Sequence, residues 1–89
     1  MEVALRVQDP SGTVKRDVVL RAQDANTVRD LAGVLVDVME WPRETLGGEP
    51  VVYRVRRLGD AEPLDEELTV VALGLAQGDA LVLGAERPA

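Results

Sequence analysis

Large apolar residues alternate with small or polar ones at the start of the chain: Val3, Leu5 and Val7 against Ala4, Arg6 and Gln8. A period of two predicts a strand with one buried face. Asp9-Pro10-Ser11-Gly12-Thr13 is dense in turn formers. Pro presets φ, Gly permits positive φ, and Asp can bond its own backbone. A second strand is expected from Val14 to Ala22, with Val18, Leu20 and Ala22 inward and Asp17, Val19 and Arg21 outward. These two strands read as an amino-terminal hairpin. The period then changes. Val28, Leu31, Ala32, Leu35, Val38 and Met39 recur at three and four, which is the spacing of one helical face. The helix is expected over Val28 to Trp41. Thr27 is placed to cap it, and Asp30 completes a capping-box pattern. Pro42 is expected to end it, because the residue before a proline avoids the helical region. So many Val residues make a poor helix former, so this helix needs packing against a sheet.

The second half returns to short segments. Gly47-Gly48 lies in a loop from Glu44 to Pro50, and Val51, Tyr53 and Val55 then alternate with Val52, Arg54 and Arg56 as a third strand. Leu64 is an isolated apolar residue, a candidate short edge strand. Leu68 to Leu75 reads as a short helical turn, Gly78-Asp79 as a turn, and Ala80 to Leu83 as the last strand. The order is hairpin, helix, strand, irregular segment, strand. A mixed four- to five-stranded sheet wrapped on one main helix satisfies it. That is the α+β, β-grasp plan, expected as one domain over residues 1–84 with a flexible tail at 85–89.

Composition narrows the chemistry. The chain has 89 residues and no Cys or His, so thiolate nucleophiles, zinc ribbons and the usual neutral-pH base are missing. Ser11 is the only Ser and sits in a predicted turn. Ser-His-Asp and Cys-His catalysis are excluded by inventory, so no enzyme activity, cofactor or metal is expected. A net charge of −6 argues against nucleic acid, which calls for a basic footprint. No run of 18 apolar residues appears, so no membrane insertion is expected. Met1 runs straight into a strand pattern, so no signal peptide is expected. Absence of Cys fits a cytoplasmic location. Nearly all the cations are Arg, and with the richness in Ala and Val this points to a GC-rich bacterial genome.

Thr27-Val28-Arg29-Asp30-Leu31 and the closing stretch Leu73-Gly74-Leu75-Ala76-Gln77-Gly78-Asp79-Ala80-Leu81 resemble the ubiquitin-like proteins over nearly the whole chain. The hairpin starting at residue 1, the Val-rich helix before Pro42, the Arg-bearing third strand and the Gly78-Asp79 turn resemble the bacterial YukD/EsaB type. Those proteins accompany type VII secretion systems, and a related domain forms the amino terminus of their EccD membrane component. The resemblance implies a cytoplasmic, non-catalytic interaction module. Its partner would be a secretion membrane component, the secretion ATPase, or another copy of itself. The alternative is a ubiquitin-like modifier or sulfur carrier. Those proteins end in Gly-Gly, whereas this sequence ends Arg87-Pro88-Ala89 and its Gly47-Gly48 is internal, so conjugation is not expected.

Arg6, Arg54 and Arg56, with Val19 and Val52, are the candidate partner-binding residues, all outward by parity. The position aligned with the central isoleucine of ubiquitin's recognition patch is Arg56. Arg6 joins this patch if the first and third strands pair. Such a face can take an acidic partner through bidentate Arg contacts. The same residues also read as a solvated face whose Arg side chains pair with Asp17 or nearby Glu. Asp60, Glu62, Asp65, Glu66 and Glu67 form an acidic loop without calcium-loop spacing, read as solvated. Trp41 reads as a lid over the helix end rather than a binding hot spot.

Overall fold

The computed structural model describes residues 2–21 and 25–86. Four strands and two helices follow in the order β1 (Glu2–Gln8), β2 (Lys15–Arg21), α1 (Val28–Met39), β3 (Val52–Arg57), α2 (Val70–Leu73) and β4 (Ala80–Glu86). The sheet order is β2-β1-β4-β3. β1 pairs antiparallel with β2 and parallel with β4, and β3 pairs antiparallel with β4. The sheet is therefore mixed, and α1 crosses its β3–β4 side.

Strand parity holds. Val3, Leu5, Val7, Val18, Leu20, Val55, Leu81 and Leu83 are buried on the helix side, against Val28, Leu31, Leu35 and Met39. The core is aliphatic, as a chain without Phe demands. Ala22 lies outside the described residues.

The capping box forms: the Thr27 side chain accepts from the Asp30 N–H, and the Asp30 carboxylate accepts from the Thr27 N–H. The helix stops at Met39, two residues short of Trp41. Glu40 turns left-handed at φ 58°, and its N–H returns to Asp37 and Val36 carbonyls. This is a C-terminal cap in the helix's own last turn, with Pro42 just beyond it. Trp41 is half-buried against the core and stacks on Tyr53 at 5.7 Å.

Leu64 is not a strand. Its N–H donates to the Val55 carbonyl at 2.7 Å, covering one point on the free edge of β3. β4 continues through Gly84 and Ala85 to Glu86, past the expected end at Leu83; residues 87–89 lie outside the described residues. Gly84 marks a close approach: a Cβ there would sit 2.9 Å from Pro10 Cγ. The chain leaving β1 runs beside β4, and only a glycine leaves room for the proline ring.

The β1–β2 turn depends on one carboxylate. Asp9 accepts from Ser11 Oγ at 2.7 Å and from the Val14 N–H at 3.0 Å. These bonds, the serine's first, hold its pKa below the ordinary 3.8. A depressed folded pKa means the stabilisation is complete above the unfolded value and is lost as pH falls through the folded one. Asp9→Asn should therefore lower the melting temperature at about pH 6, with the gap to the native protein closing toward about pH 2. A gap that stays constant across a pH series of melts would show that the charge plays no part.

Candidate functional site

The face of the sheet away from α1 is the regular surface left open. Alternation of β1 places Ala4, Arg6 and Gln8 there. The register extends this face to Lys15, Asp17 and Val19 on β2, Ala80, Val82 and Gly84 on β4, and Val52, Arg54 and Arg56 on β3.

Sheet order corrects one expectation. β1 and β3 do not pair, because β4 runs between them. Arg6 stands opposite Ala80, while Arg56 stands opposite Val82. Two strand spacings, roughly 10 Å, separate the strand carrying Arg6 from the strand carrying Arg54 and Arg56. Val19 (57% exposed) and Val52 (48%) lie on the two outermost strands, so they do not form one apolar patch. The five candidate residues share a face without forming a cluster.

Their charges are also spent differently. Arg6 pairs with Asp17 at 3.3 Å, both well exposed. Arg54 reaches Glu66 at 3.3 Å and Glu86 at 3.6 Å, with its own side chain only 28% exposed. Glu66 also pairs with Arg29 on α1 at 3.3 Å, and Arg29 takes Glu67 at 2.8 Å. Glu66 and Glu67 hold the Arg29 guanidinium above its ordinary pKa. Two of the five carboxylates that the sequence offers as an acidic loop, Glu66 and Glu67, are thus a clasp at the β3 edge, tying the strand to the start of the helix. Arg56 differs from both. It donates to the Asp60 carbonyl at 2.7 Å and meets no carboxylate among the described residues. Lys15 likewise has no carboxylate partner among them.

Register joins these two cations in one row: Lys15, Gln8, Val82 and Arg56 stand side by side across the four strands. Val82 is only 2% exposed although it belongs to the outer face. Gln8 and Arg56 flank it, and an Arg stem covers apolar surface while its head stays in water. Beside this row lies a depression of about 540 Å³ lined by Ala4, Arg6, Gln8, Lys15, Asp17 and Leu58, among others. Leu58 is 54% exposed at its rim. Sequence reasoning missed Lys15, Gln8, Leu58 and Val82. One signal was present: Ala80 to Leu83 is a continuous apolar run, the mark of a central strand covered on both faces.

No group of three or more metal-ligating side chains occurs among the described residues. None of the described helices is long and apolar enough to cross a membrane.

No protein-family profile matches the chain. No curated protein sequence matches it either. Solved structures do. A chain of the toluene 4-monooxygenase HD complex superposes with a TM-score of 0.70 at 14% identity, covering 97% of this chain and 100% of that one. The ubiquitin of Caldiarchaeum subterraneum gives 0.66 at 18% identity, covering 99% and 98%. The ubiquitin-like domain of the Mycobacterium tuberculosis type VII secretion protein ECCD1 gives 0.57 at 25% identity, covering 94% and 98%. The chain carries the ubiquitin-like β-grasp fold, a mixed four-stranded sheet packed on one main helix and a short second one.

Proposed function

We propose that this domain acts without catalysis, docking non-covalently onto a protein through the outer face of its sheet. The observation that carries this reading is the row Lys15–Gln8–Val82–Arg56. It places two cations without carboxylate partners among the described residues on the exposed face of a chain whose net charge is −6. Cations spread along one row of this face, opposite in sign to the whole protein, orient an encounter with an acidic surface. Arg6, though paired with Asp17, extends the cationic area across β1. Val19 and Val52 add apolar area at its margins. The fold leaves this face open because the helix is spent on the core side.

The partner in this reading belongs to a type VII secretion machine, either its membrane component or its ATPase. Support comes from the likeness to the ECCD1 ubiquitin-like domain and from the resemblance of the helix and closing turn to the YukD/EsaB type. The experiment uses purified cytosolic domains of both secretion components from the source organism. Lys15→Glu combined with Arg56→Glu should weaken binding about tenfold or more, and raised salt should weaken the native complex. The melting temperature should stay within about 4 °C, since neither side chain holds an ion pair among the described residues. Native-strength binding by the double variant would overturn the docking face. Adducts linked through the chain's carboxyl end on incubation with ATP and lysate would favour the covalent-modifier reading.

A further inference from the structure

The outer face of the sheet is not flat. Ala80 stands between Arg6 on β1 and Leu58 just past β3, whose N–H donates to the Ala80 carbonyl. A methyl group between two long side chains leaves a gap. The next positions along the strands enlarge it, because Ala4 and Gly78 follow on the same side. The result is the hollow of about 540 Å³ beside the cationic row. Ala4, Gly78 and Ala80 form its floor, Leu58 stands at one side, and Arg6 and Lys15 stand at the other.

The cations around it are placed at its margins. Asp17 draws the Arg6 guanidinium toward β2. The Asp60 carbonyl holds the Arg56 head at the turn that follows Leu58. Main-chain groups at the floor are used within the fold: the Gly78 N–H donates to the Ala4 carbonyl, and the Ala4 N–H to the Gln77 side chain. Recognition therefore falls to side chains. Asp17, the carboxylate on the wall, is already paired with Arg6. Lys15 and Arg56 have no carboxylate partner among the described residues. An apolar centre with cations at both ends fits an aliphatic side chain flanked by carboxylates, and it repels a basic segment.

Strand geometry sets the spacing. Neighbouring strands lie about 4.8 Å apart, and an extended chain advances about 3.3 Å per residue with alternate side chains on one face. In a segment that crosses the strands over Ala80, the residues two places before and after the central one come over β1 and β3. Carboxylates at those places lie within reach of the long Lys15 and Arg56 side chains.

The geometry points to what this hollow reads: a short extended segment of the partner with the pattern acidic–x–aliphatic–x–acidic. Its aliphatic side chain sits on Ala80 beside Leu58, and its carboxylates meet Lys15 and Arg56. This inference rests on the docking face proposed above and names the feature which that face recognises.

The test is a titration of isotope-labelled protein with the end-capped peptide Glu-Ser-Leu-Ser-Glu up to several millimolar, followed by NMR amide shifts. Saturable shifts are expected at Arg6, Leu58 and Ala80. Exchanging the central Leu for Ser, or both Glu for Lys, should weaken binding about tenfold. Ala80→Leu fills the hollow and should abolish the response. Leu58→Glu, at an exposed position on the rim, should do the same without touching the core. The proposal is overturned if the acidic Leu peptide fails to saturate, if the Ser or Lys peptide binds equally well, or if both variants bind as the native protein does. Shifts at these residues that follow protein concentration alone would seat a second copy in the hollow and also overturn it. Two further results separate the hollow from the face. If the peptide binds and neither secretion domain does, the hollow stands and the partner assigned above falls. If Ala80→Leu binds a secretion domain at native strength while Lys15→Glu with Arg56→Glu does not bind it, the face stands and the hollow falls.

Discussion

Leu35→Ala should cost about 3 kcal/mol and lower the melting temperature by roughly 12–24 °C. Leu35 is fully buried in α1, within the cluster that joins the helix to the sheet. The helix is 12 residues long and carries four Val and one Gly, so little intrinsic propensity supports it. Its stability is tertiary, and removing a central contact loosens helix and sheet together. A domain of this size has a total stability of only about 4–13 kcal/mol, so the variant should show a lower far-ultraviolet midpoint and an enlarged unfolded fraction at physiological temperature. A shift below about 4 °C would mean that Leu35 does not hold the helix down.

Arg54→Glu should also act on stability, by about 2 kcal/mol or roughly 8–16 °C. The native guanidinium lies between Glu66 and Glu86, less than a third exposed, and the reversal would bring three carboxylates together. Breaking a fully buried pair costs about 3–5 kcal/mol, and partial exposure reduces that figure. The consequence matters for any binding assay: a variant combining Arg54→Glu with Arg56→Glu mixes a folding defect with a docking defect. Glu66→Lys is not a neutral control either, since Glu66 bridges Arg54 and Arg29. Arg56→Glu alone should melt near the native temperature. Differential scanning calorimetry of the two single variants separates the roles, and equal midpoints would remove the clasp.

Much of the secondary structure was legible because its causes are local. A period of two fixes which side of a strand is apolar, so Val3, Leu5, Val7, Val18 and Leu20 could be placed before any strand had a neighbour. The change to period three-four and the Thr27–Asp30 pair located the start of α1 to the residue. The far end was less legible. Pro42 signals a stop, but a left-handed Glu40 had already ended the helix, and a non-glycine residue in that conformation leaves no clear mark in sequence. Thr69 and Gly74 bracket α2 as cap and left-handed stop, which is why so short a helix could be read.

The sequence by itself determined the elements, their buried faces and the ubiquitin-like plan, together with a chemistry that contains neither Cys nor His. Tertiary structure alone decided which strands are neighbours. Alternation says which way a side chain points and nothing about what lies beside it. Inserting β4 between β1 and β3 parted Arg6 from Arg54 and Arg56 and brought Lys15, Gln8, Val82 and Arg56 into one row. Folding of the 64–67 segment against β3 set Arg54 between Glu66 and Glu86 and covered one point on that edge of the sheet. Charges close in space but 12 or more residues apart in sequence leave no periodic trace, so which cations remain without a carboxylate among the described residues emerges only when the chain is folded.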